Sequence, residues 1–182
     1  MTEFVDLVVA IHRTLDQARI PHAFGGALAL GFVATPRGTV DIDVNAFVTP
    51  AEIDRVQTAI APLGYLRETP GDALPIAGIR FMNTRDPFPL DVFPSVDPAY
   101  DEIARRVVHH EFGRGHDALP FLSAEDLCVF KLSCSRPQDW VDLAAIARAR
   151  PELDIDYIEQ QATALRGSSM YPRVARLRGL LP

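Results

Sequence analysis

Residues 24–47 constrain this chain more than any other stretch. They read Phe24-Gly25-Gly26-Ala27-Leu28-Ala29-Leu30 and, after a Pro-Arg-Gly turn, Thr39-Val40-Asp41-Ile42-Asp43-Val44-Asn45-Ala46-Phe47. An apolar run meets two glycines and continues as a small-residue helix over 26–34. The second run is predicted as a strand over 40–47. Alternation along a strand puts Asp41 and Asp43 on one face and turns Ile42 and Val44 to the core. Like charges side by side on a strand face repel unless something positive lies between them. A divalent metal is the economical candidate, and hard carboxylate oxygens suit Mg²⁺ or its analogue Mn²⁺. Glycines ahead of a helix let its first N–H groups approach a phosphate closely, which makes Gly25 and Gly26 candidate phosphate donors. Carboxylates for a metal beside a phosphate-binding turn point to chemistry on a nucleoside triphosphate.

The pattern Gly25-Gly26 followed by Arg37-x-Thr39-x-Asp41-x-Asp43 resembles the signature of the polymerase-β-type nucleotidyltransferase superfamily. Within it the chain is most similar to the small AbiEii-type nucleotidyltransferases, which include MenT-like toxins. A second block carries the same resemblance. Asp126-Leu127-x-x-x-Lys131, then Arg136-x-x-Asp139-x-x-Asp142-Leu143, matches a helical Lys and a following Arg-x-x-Asp-x-x-Asp in family order. The two blocks together span residues 22–147. Many superfamily members carry a serine after the first glycine. Gly26 departs from that pattern, agrees with the AbiEii-like subset, and removes a hydroxyl contact to the triphosphate.

Composition narrows the setting. The 182 residues are 48% hydrophobic, which suits one compact domain or a domain with a helical appendage. No uninterrupted apolar run of about 18 residues exists, so no transmembrane helix is expected. Glu3 and Asp6 near the N-terminus and the lack of a basic leader argue against a signal peptide. Cys128 and Cys134 are too few for a disulfide framework or a zinc site, and a cytoplasmic setting is expected. The net charge of −6 does not advertise nucleic-acid binding. Basic residues are nevertheless clustered, as Arg166, Arg173, Arg176 and Arg178 at one end and Arg105, Arg106, His109, His110 and Arg114 in another patch. Of 18 cationic residues only Lys131 is lysine, which is either a position where a compact ammonium is wanted or a chance retention on the surface.

Taken in order, apolar spacing predicts a first helix over 3–18 that Pro21 ends, then a buried strand at His22-Ala23-Phe24. In that strand His22 reads as a strand-end residue rather than a ligand. Thr49-Pro50-Ala51-Glu52 is a capping box that opens a helix stopped by Gly64. Residues 69–78 read as a loop. Strands are expected at 79–82 and 90–93, a short helix at 97–106 and an edge strand at 107–112. An isolated carboxylate facing the core is costly, so Asp91 is expected on the face of Asp41 and Asp43. It also matches the third carboxylate that the resemblance implies. His109, His110 and His116 lack zinc spacing and read as surface. Four helices are expected from Ser123 onward.

The expected fold is therefore α+β: a nucleotidyltransferase catalytic domain over 1–118, with a small mixed β-sheet and flanking helices, followed by a C-terminal helical bundle over 119–182. The resemblance implies NMP transfer from an NTP to an RNA acceptor, the tRNA 3′ end, by the toxin of a toxin–antitoxin system with a cognate antitoxin as partner and no membrane. Catalytic roles fall to Asp41, Asp43, Asp91 and Lys131, the three aspartates holding the metal. Nucleotide-binding roles fall to Gly25, Gly26, Arg37, Thr39, Lys131, Arg136 and Asp139, with Asp139 favoured over Asp142. Two other readings stand beside this one. The chain is a small-molecule enzyme of the aminoglycoside or lincosamide nucleotidyltransferase type, or a catalytically silent nucleotidyltransferase fold that acts as a binding partner.

Overall fold

The structure, a computed structural model, describes residues 3–68, 78–113 and 118–182. Residues 69–77 of the loop expected at 69–78, together with Arg114 and His116, lie outside the described residues. The chain forms two compact units, one of Met1–Gly25 with Thr39–Phe121, the other of Gly26–Gly38 with Leu122–Pro182.

Among the described residues the first unit is built on seven strands: β1 His22–Phe24, β2 Ile42–Ala46, β3 Tyr65–Arg67, β4 Ile79–Asn83, β5 Leu90–Pro94, β6 Val108–Glu111 and β7 Ala118–Phe121. Their order is β3-β4-β5-β2-β1-β7-β6, so β2 is the middle strand. The sheet is mixed. β2 runs parallel to β5 and β1 parallel to β7, while the other neighbours are antiparallel. Ile42, Val44, Phe81, Leu90, Val92 and Phe121 are fully buried, as period-two alternation requires of a covered face. Helix α1 (Phe4–Gln17) buries Leu7, Val8, Ile11 and Leu15 and packs on α3 (Ile53–Ile60). The capping box at Thr49 and Glu52 forms as expected, although its first turn is 3₁₀, and Gly64 ends the segment at a φ of 93°. A short α4 (Tyr100–Arg105) precedes the edge strand β6.

Two boundaries and two strands differ from the sequence reading. The middle strand starts at Ile42 rather than residue 40: Val40 is 76% exposed, and Asp41 is held in a turn by Thr39, whose hydroxyl donates to its Oδ1 at 2.7 Å. β3 and β7 were not expected at all. α1 stops at Gln17, ahead of Pro21, because Arg19 takes a left-handed φ of 53°.

The second unit is helical: α2 (Gly26–Val33), α5 (Ala124–Cys134), α6 (Pro137–Ala149), α7 (Ile155–Arg166) and α8 (Tyr171–Arg178). α2 packs on α5 and α6 although it lies early in the sequence, and the Arg150 guanidinium reaches the Phe32 carbonyl at the end of α2 at 3.5 Å. Ser123 caps α5 by accepting from the Asp126 amide. The fully buried Asp126 carboxylate accepts from the Ser123 hydroxyl and the Tyr157 hydroxyl, both at 2.6 Å, which ties α5 to α7.

Candidate active site

In the first unit the carboxylates are placed by strand register. Asp43 on β2 lies directly beside Asp91 on β5, and Asp91 lies opposite Arg80 on β4. Asp41 precedes Asp43 by two residues, oriented by Thr39. Asp91 thus shares a sheet face with Asp43. The positive charge required among these acids comes first from the chain itself. Arg80 Nε donates to Asp91 Oδ1 at 2.8 Å and Nη2 to Oδ2 at 2.7 Å, while Nη2 lies 3.9 Å from Asp41 Oδ2. Donation to the Asp91 carboxylate, and the charge of that group, stabilise the guanidinium further. Sequence reasoning missed Arg80. The signal was available, since in Ile79-Arg80-Phe81-Met82 the buried Phe81 turns Arg80 to the opposite face.

The donor chemistry of Asp41, Asp43 and Asp91 fits a hard divalent cation, all oxygen and all anionic. As they stand, no three Asp, Glu, His or Cys side chains among the described residues are gathered closely enough to hold a metal. One expected phosphate donor is also committed elsewhere: the Gly25 amide bonds the Asp43 carbonyl at 2.9 Å and extends the β1–β2 ladder. Gly26 starts α2 with a φ of 52°, a left-handed conformation that favours glycine.

In the second unit Asp142 is the hub. It accepts from Lys131 Nζ at 2.5 Å, from Arg37 Nε and Nη2 at 3.0 Å each, and from Gln138 at 3.0 Å. Burial alone would raise this carboxyl, but the bonds from Arg37, Lys131 and Gln138 outweigh it and hold the pKa below the usual carboxylate value. Asp139 has another task. It accepts from the Arg136 amide at 2.9 Å and from Arg136 Nε at 3.0 Å, closing a capping box at the start of α6, and stands 3.9 Å from Lys131. Asp142, rather than the favoured Asp139, is therefore the carboxylate that bonds Lys131 directly. Lys131 is itself buried, 5% exposed, so its ammonium is fixed rather than roaming at the surface.

The basic C-terminal helix is also more occupied than its composition implied. Arg173 donates to the Leu132 and Ser133 carbonyls at 2.7 and 3.1 Å, Arg176 lies over the Trp140 ring at 3.7 Å from its centroid, and Arg178 pairs with Asp156 at 3.0 Å.

No family model matches the chain, and no curated protein matches it. Solved structures do. The antibiotic-resistance factor ANT(2″)-Ia in solution superposes with a TM-score of 0.62 at 17% identity, over 96% of each chain. An antigenic nucleotidyltransferase-like protein from Paracoccidioides brasiliensis gives 0.58 at 18% identity, over 99% of this chain and 94% of that one. The lincosamide antibiotic adenylyltransferase LnuA, bound to lincomycin, gives 0.51 at 13% identity, over 80% and 96%. The fold is thus the nucleotidyltransferase fold with a helical C-terminal part. Among the described residues no helix is long and apolar enough to cross a membrane.

Proposed function

We propose that this chain is a nucleotidyltransferase that moves an NMP from an NTP to an acceptor hydroxyl. The observation that carries this reading is the register of β2 and β5, which sets Asp43 beside Asp91 on one sheet face with Asp41 at its rim, on a fold shared with nucleotidyltransferases. In the reaction the acceptor oxygen bonds the α-phosphorus, the bond from that phosphorus to the bridging oxygen breaks, and pyrophosphate leaves. Asp41, Asp43 and Asp91 would hold Mg²⁺ or Mn²⁺, which neutralises charge developing on the attacking and leaving oxygens. Thr39 fixes the Asp41 carboxylate. Asp91 assists removal of the acceptor proton. Lys131, held by Asp142, and Arg37, held by the same carboxylate, supply positive charge to the triphosphate. Gly26 contributes its amide, and Arg136 with Asp139 shapes the start of α6.

For the acceptor we propose a small hydroxyl-bearing cation. The net charge of −6 favours a cationic substrate, and Arg173, Arg176 and Arg178 are each engaged within the fold. ANT(2″)-Ia, one of the similar structures, has been seen with adenylyl-2″-tobramycin. An RNA 3′ end, with a toxin–antitoxin role, is the second reading, favoured by the two motif blocks. The test is incubation with Mg²⁺, each labelled NTP in turn, and either an aminoglycoside panel or total tRNA. Label on a drug, lost in Asp41→Ala, supports the first reading, and label on tRNA supports the second. Absence of NTP binding would leave a silent fold acting as a binding protein.

A further inference from the structure

The face that carries the three carboxylates also carries a cation of the chain's own. We propose that Arg80 is an internal counter-ion that competes with a divalent cation for Asp91, so that the metal binds only as the guanidinium leaves. The inference rests on the reading of Asp41, Asp43 and Asp91 as metal-holding residues and adds to it a residue that sets the affinity.

The geometry is specific. Cross-strand register places Arg80 opposite Asp91, and its planar fork engages both carboxylate oxygens, at 2.8 and 2.7 Å. The oxygen lone pairs a hard cation would use are those the guanidinium holds. The same Nη2 stands 3.9 Å from Asp41 Oδ2, so Arg80 spans two of the three acids and offsets the repulsion that otherwise drives the cluster toward a cation. This accounts for Asp43 and Asp91 on one sheet face, with Asp41 at its rim, not being drawn together as a ligand set.

Exposure decides which partner gives way. The Asp91 side chain is 15% exposed and set on a strand inside the sheet, whereas that of Arg80 is 45% exposed on a long stem. The arginine is the mobile member. Glu68, whose amide donates to the Arg80 carbonyl at 2.9 Å, also adds to the negative field around the guanidinium. A released Arg80 therefore has an acidic neighbour outside the trio.

The experiment titrates Mn²⁺ into the full chain and follows the free-ion signal by electron paramagnetic resonance, comparing wild type, Arg80→Gln, Arg80→Lys and Asp91→Asn. Arg80→Gln is expected to bind Mn²⁺ at about tenfold lower concentration. Arg80→Lys keeps the charge but loses the two-point grip, so its affinity falls between the two; it also keeps the inference testable if the Gln variant does not fold. A second readout is melting temperature: without metal Arg80→Gln melts below wild type, and it gains more from added Mn²⁺. Affinity in both Arg80 variants equal to or weaker than wild type overturns the competition. Asp91→Asn binding as tightly as wild type, or no binding by any of the four proteins, overturns the metal assignment itself.

Discussion

Asp142 is one carboxylate asked to satisfy two cations and an amide, and its neighbour Asp139 shows how differently two acids three residues apart are used. Asp142 is 2% exposed and bonds Lys131, Arg37 and Gln138. Asp139 is equally buried but serves the local start of α6 with Arg136, whose side chain is 74% exposed. Removing one partner from a buried ion pair strands the other charge, so Asp142→Asn is expected to cost about 3 kcal/mol. Asp139→Asn removes a cap contact and is expected to cost about 1 kcal/mol. Urea denaturation of the two variants checks the order, and the reverse order would return the anchoring of Lys131 to Asp139. The cap is local to Arg136-Pro137-x-Asp139, yet the motif resemblance drew both residues to nucleotide binding instead. The hub was not legible at all, since Arg37 lies 105 residues from Asp142 in the chain.

At the scale of elements, the arginines of α8 act as fasteners. The Arg173 guanidinium donates to carbonyls in the last turn of α5, groups that no intrahelical donor reaches. Arg173→Ala is expected to destabilise the chain by about 1–2 kcal/mol. Arg178→Ala, which breaks only exposed pairs with Asp156 and Glu159, is expected to change stability little. Thermal melts of the two variants separate these roles, and equal melts would make α8 a free basic surface after all. Charge counting reads only that a segment is basic. Where its side chains go is decided by packing. The same division explains the other elements. The helices and the caps at Thr49 and Ser123 were legible because periodicity and capping are local signals. β3 and β7 were not. They span three and four residues, Pro120 within β7 reads as a break, and each is defined by pairing with other strands, β3 with β4 and β7 with β6 and β1, rather than by its own alternation. The site was legible as residue types. Its internal counter-ion became visible only once β4 was laid beside β5.

For the whole molecule the testable quantity is stability against pH, because two buried groups titrate in separate windows. His22 opens β1 and is 7% exposed; its Nδ1 bonds the Ile20 carbonyl at 2.8 Å, and its Nε2 faces His12 Nδ1 at 3.0 Å. With Nδ1–H donating to Ile20, Nε2 is left to accept from His12, so the neutral ring satisfies both contacts and the protonated ring breaks one. Burial lowers the His22 pKa to about 4; the Ile20 carbonyl opposes this, His12 and His109 add to it, and Asp16 opposes it. A lowered imidazole pKa means that the unfolded chain binds the proton more readily. Stability is therefore full above the ordinary value of 6.5 and falls as pH drops from 6.5 toward 4, by roughly 3 kcal/mol at completion. The Asp142 carboxyl, held below its ordinary value of 3.8, contributes stability that is present above that value and lost only on further acidification. Melting curves from pH 8 to pH 3 should thus fall in two steps. His22→Asn, which removes the titrating ring and offers an amide donor for the Ile20 carbonyl, should flatten the step between 6.5 and 4 and leave the lower one. A wild-type curve that is level across that upper window would mean that the histidine pair takes up its proton without breaking, and that β1 is not the acid-sensitive strand.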